Sequence, residues 1–147
     1  MYSKPPKELD EIRQRMIRNA MPEGSDTKRQ IEGLARIVSA IARTLVPLFG
    51  NVATQATLNR ARYLSQSRYP ILEKLPFTNT GIDVQLLQRE MGTESPEVAR
   101  ETFIHFVDEW IDALYSLLDG ILTTLLQEAE LRLANNRAAP DPEEEVR

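Results

Sequence analysis

SPEVARETFIHFVDEWIDALYSLLDGILTTLLQEAELRLAN, residues 95–135, carries the strongest signal in the chain. Ser95 can cap a helix, Pro96 suits the first helical position, and Glu97 faces the positive end of the helix dipole. Apolar residues then recur three and four apart: Phe103, Val107, Trp110, Leu114, Leu117, Ile121 and Leu125. A second line runs beside the first through Ile104, Ile111, Leu118, Leu122 and Ala129. The two lines together form a face wide enough to touch two neighbouring helices. An unbroken rod of this length would extend roughly 60 Å at the helical rise. Gly120 is its weak point, since mid-helix glycine costs about 1 kcal/mol relative to alanine, and a bend after Asp119 is expected there.

The same stretch is long enough to cross a bilayer, but its charges argue against that. His105, Asp108, Glu109, Asp112 and Asp119 interrupt it. Each carboxylate at bilayer depth would cost about 2.5–3.5 kcal/mol. The expectation is a helix wet on one side and covered by protein on the other, with no transmembrane segment in the chain.

Working outward, the other segments also read as helices. Leu9, Ile12, Met16 and Ala20 line one thin apolar face of a first helix opened by Pro5 or Pro6. Pro22, Gly24 and Ser25 end it. Thr27 and Gln30 have capping-box spacing before a second helix that runs from Lys28 to about Val46. Ile31, Leu34, Ile37, Val38, Ile41, Leu45 and Val46 cover most of its circumference, as in a central core helix. Pro47 and Gly50 should kink or end it. A third helix, from about Asn51 to Gln66, is rich in small residues, Ala53, Ala56 and Ala61 among them. Pro70 and Pro76 bracket an irregular segment with one turn, Ile71 to Leu75, whose apolar residues plug an end of the bundle. Asn79, Thr80 and Gly81 turn into a short helix, Ile82 to Met91, stopped by Gly92.

The expected fold is therefore all-α, a four- to five-helix bundle with one long C-terminal amphipathic helix. Residues 1–26 form a lead-in with a peripheral helix, 27–135 the bundle domain, and 136–147 a disordered acidic tail containing Pro140, Pro142 and Glu143 to Glu145. A chain of 147 residues is one ordinary domain, able to bury about two thirds of its unfolded surface.

Composition removes several function classes. With no cysteine, disulfides, thiolate catalysis, cysteine zinc sites and iron–sulfur clusters are excluded. Lys4, Lys7, Glu8, Asp10 and Glu11 interrupt any apolar signal core near the N-terminus, and cytoplasmic localisation is the default expectation. No Gly-x-Ser-x-Gly turn, phosphate loop or dinucleotide fingerprint occurs. The net charge of −4 conceals a polarity: residues 1–75 hold 13 Lys+Arg against 7 Asp+Glu, and residues 76–147 hold 5 against 15. The basic half can pack beside the acidic half, or two copies can meet antiparallel.

Three functional readings follow. The leading one is a non-enzymatic cytoplasmic interaction module, regulatory or scaffolding, that self-associates as a homodimer. Phe103, Phe106, Trp110 and Tyr115 are its candidate contact aromatics, because aromatics anchor interfaces. The second is a nucleic-acid-binding or transcription-related protein using Arg60, Arg62, Arg68 and Lys74, interleaved with Tyr63 and Tyr69. The patch is small and the chain acidic, which disfavours attraction to a polyanion. The third is a metal-dependent carboxylate-bundle enzyme around Glu101, His105 and Glu109. Such bundles need a Glu-x-x-His pair on each of two helices, and this chain has a single histidine, so no metal or other cofactor is expected. A phosphoacceptor role for His105 is opposed by the neighbouring Asp108 and Glu109 and by the bulk of Ile104 and Phe106.

Overall fold

The protein is described here by a computed structural model covering residues 6–74, 77–78 and 81–138. In order along the chain come α1 (Lys7–Ala20), α2 (Thr27–Gln66), a single 3-10 turn (Pro70–Lys74), β1 (Phe77–Thr78), β2 (Gly81–Ile82), α3 (Val84–Met91), α4 (Pro96–Leu118) and α5 (Ile121–Ala138). The architecture is all-α. The sole strands among the described residues are a two-residue antiparallel pair, with Phe77 opposite Ile82 and Thr78 opposite Gly81.

The C-terminal rod is not continuous. Asp119 adopts φ 49°, ψ −127°, and the chain restarts as α5 two residues later. An aspartate in this region is strained, and the break falls beside Gly120, a residue that weakens a helix. The longest helix is instead α2, which spans 40 residues and passes through Gly50 at φ 85°, ψ 169°. Residues 27–49 and 51–66 are thus two helical segments meeting at an angle. Pro47 removes one backbone donor just before the break, and Gly50 supplies the left-handed backbone that the break requires. The expected second and third helices are these two segments.

The caps fix the ends. Asp26, not Thr27, is the N-cap of α2, its carboxylate accepting from the Arg29 N–H at 2.8 Å. Thr27 instead donates its hydroxyl to the Glu94 carbonyl at 2.7 Å, tying the start of α2 to the loop before α4. Ser95 caps α4 by accepting from the Val98 N–H at 3.2 Å, and Asp83 caps α3 by accepting from the Leu86 N–H at 3.1 Å.

One core runs through the molecule. Trp110, Phe103 and Phe106 of α4 are fully enclosed, with Ile31, Leu34, Ile37 and Ile41 of α2 beside them in the same cluster. Leu122, Leu126, Ala129 and Leu133 of α5 join it, as does Leu72 from the 3-10 turn. α1, expected at the periphery, also belongs to the core: Leu9, Ile12, Met16 and Ala20 are buried. The reason lies at its C-terminal end. Arg36 donates to the Ala20 carbonyl at 3.1 Å and Arg100 donates to the Met21 carbonyl, so two guanidinium groups satisfy the carbonyls that end α1. Gly33 permits this approach, since a Cβ there would collide with the Ala20 carbonyl and the Met21 side chain.

α2 is long and apolar enough, by length and composition, to cross a membrane. Within the bundle its positions Ile31, Leu34, Ile37, Ile41 and Leu45 are buried. Leu75 and Phe77, expected to plug an end, and the tail beyond Ala138 lie outside what is described of the side chains.

Candidate interaction site

The two helix breaks meet at one end of the bundle and leave apolar side chains in solvent there. Beside Gly50 stand Leu48 (60% exposed), Phe49 (38%) and Val52 (85%); beside Asp119–Gly120 stand Leu117 (68%) and Ile121 (54%). Leu117 and Ile121 lie on the apolar line expected to be covered. The turn at Asp119 takes these two residues off the core, against that expectation, while Leu125 of the same line is buried again.

Phe49 and Leu117 line one cavity of about 190 Å³, together with Leu45, Ala53, Leu114 and Leu118. The short side chain of Ala53 leaves room here between the 51–66 segment and α4. A second cavity continues along the same two helices, lined by Arg60 and Leu64 on one side and Glu109, Asp112, Ala113 and Ser116 on the other. Leu117 lines both. The two helices run antiparallel, and the result is one groove with an apolar end and a charged end.

At the charged end the signs are separated. Arg60 projects from α2 and forms no ion pair among the described residues. Asp112 and Glu109 face it from α4. Burial pushes the Asp112 carboxyl above its ordinary value, partly opposed by Arg13. Burial likewise raises Asp108, whose Oδ1 lies 3.4 Å from Arg13 Nε. Arg13 also pairs with Asp10 on its own helix. Arg15 makes a two-pronged contact with Glu130 at 2.8 and 3.1 Å. In part, then, the basic and acidic halves do neutralise each other inside one copy, through α1.

The other sequence-derived residues fall as follows. Phe103, Phe106 and Trp110 offer no contact surface, because all three are fully enclosed by the core; Tyr115 is half-buried against it. Arg60, Arg68 and Lys74 are exposed and Arg62 is half-buried. The Arg68 guanidinium sits 5.7 Å from the Tyr69 ring centre. His105 lies with its ring 5.2 Å from that of Tyr69 and its Nε2 3.8 Å from Glu109. Glu101 is exposed. Among the described residues no three His, Asp or Glu side chains stand close enough to hold a metal ion.

Sequence reasoning missed the groove. Its signal was present in Pro47 and Gly50 followed by Val52, and in Gly120 between Leu117 and Ile121: apolar residues next to helix breakers lose the neighbours that a continuous helix would give them. No family model, curated protein or solved structure compared with this chain matches it.

Proposed function

We propose that this protein is a non-enzymatic cytoplasmic interaction module, regulatory or scaffolding in role, that self-associates. The observation carrying this reading is the set of exposed apolar residues beside the two helix breaks, Leu48, Phe49, Val52, Leu117 and Ile121, of which Phe49 and Leu117 line the groove between residues 51–66 and α4. Apolar side chains gathered around two helix breaks are a surface awaiting cover, unlike isolated exposed leucines. A second copy is the fitting occupant because the groove bears opposite charges on its two flanks, so that one copy complements another.

Light scattering across a concentration series tests the proposal. The expected outcome is a mass rising from 16.8 kDa toward twice that value. Leu117→Lys, at an exposed position lining the groove, should hold the protein at the monomer mass. A wild-type protein that stays monomeric throughout the series removes the self-association reading.

A further inference from the structure

We infer that two copies pair groove to groove about a two-fold axis running along the groove, with Arg60 of each copy set against Asp112 and Glu109 of the other. This deepens the self-association proposed above and rests on it.

When two identical faces pack together, the two-fold axis lies in the plane they share. For a groove with distinct ends, two orientations of that axis differ most. An axis across the groove would turn one copy end over end. The charged end, with Arg60, Glu109 and Asp112, would then lie on the apolar end of the other copy, at Phe49, Ala53 and Leu118. Charges would lose water without gaining a partner, which is costly. An axis along the groove keeps like ends together. Apolar residues then cover apolar residues. The flanks exchange sides, so the 51–66 segment of one copy crosses over α4 of the other. Arg60, without an ion pair among the described residues of its own chain, meets carboxylates there. Leu117 lines both cavities from the α4 flank and is largely exposed, so it faces the 51–66 segment of the other copy, near Ala53. Opposite-charge placement of this kind selects orientation and suppresses wrong pairings.

The absence of native cysteine makes the test clean, because introduced thiols are the sole ones present. Single-cysteine versions of the full chain, R60C, D112C, A53C and L117C, would be mixed pairwise and oxidised mildly. Expected are a disulfide between R60C and D112C copies and a disulfide between A53C and L117C copies. The Arg60→Glu variant, altered at an exposed position, should weaken pairing about tenfold, read by sedimentation at low salt.

A disulfide between R60C and A53C copies, in place of R60C with D112C, would overturn the orientation while leaving self-association standing. Wild-type protein that is monomeric at every concentration overturns both. Monomeric protein that instead floats with phosphatidylcholine vesicles, and stops doing so with Val52→Lys, also overturns both and assigns the apolar end to a lipid surface.

Discussion

The indole N–H of Trp110 donates to the Thr57 hydroxyl at 2.9 Å, and that hydroxyl donates to the Thr54 carbonyl at 2.7 Å. Thr54 in turn donates to the Gly50 carbonyl at 2.9 Å. A relay therefore leads from the centre of α4 to the break in α2. It allows a large aromatic ring to be wholly enclosed without stranding its one polar atom.

Thr57→Val should accordingly destabilise the protein by about 1–3 kcal/mol, because the buried indole N–H loses its acceptor. Thr57→Ser keeps the hydroxyl and should cost far less. Urea unfolding followed by Trp110 fluorescence measures both.

Gly33 and Gly120 should respond oppositely to alanine. At Gly33 the added methyl group would meet the Ala20 carbonyl and the Met21 side chain, forcing α1 away from α2. The expected loss is about 1–3 kcal/mol, larger than the helix propensity gained. At Gly120 no atom lies within 4 Å of the added group. There alanine should stabilise by about 0.4–1 kcal/mol, by restricting the unfolded chain. Thermal melts of the two variants check the signs.

These cases show what could be read from the sequence. The all-α class, the order of the helices and the apolar identity of residues 31–45 followed from local periodicity and caps. Ser95 as a cap and Gly50 as a breaker were visible for the same reason, since both depend on their own backbone. The depth of α1 in the core was not visible. It depends on Arg36 and Arg100 reaching carbonyls 16 and 79 residues away in the chain. The exposure of Leu117 was hidden too, because periodicity assumes a helix that continues and the chain turns at Asp119. The groove depends on how two such breaks sit together in space, which no single segment encodes.

Asp108 and Asp112 set an acid-side pH dependence. Burial raises both carboxyl pKa values in the folded state, so the fold holds protons that the unfolded chain has already released. In the window just above the ordinary carboxylate range, stability therefore falls as pH rises, with Arg13 moderating the effect. Asp112→Asn should flatten that slope in urea midpoints collected across mildly acidic pH. A wild-type slope of opposite sign in the comparison with the variant would mean that Arg13 outweighs burial.

The Arg15–Glu130 contact joins α1 to α5 with two hydrogen bonds, yet the Arg15 side chain is 43% exposed. A double-mutant cycle with Arg15→Ala and Glu130→Ala should give a small coupling that shrinks with added salt.

Leu114 and Leu117 occupy the same helix three residues apart, yet they should separate folding from association. Leu114 is 2% exposed and belongs to the core, while Leu117 is 68% exposed and stands at the mouth of the groove. Leu114→Ala removes buried contacts and leaves a void, so it should cost about 2–5 kcal/mol of stability. Leu117→Lys places a charge where water already reaches. At low protein concentration, where pairing contributes nothing, it should change stability by less than about 0.5 kcal/mol. At high concentration the wild type should gain stability from self-association and Leu117→Lys should not, so their melting temperatures should diverge as concentration rises. Equal concentration dependence in the two proteins would place the contact surface elsewhere than the groove.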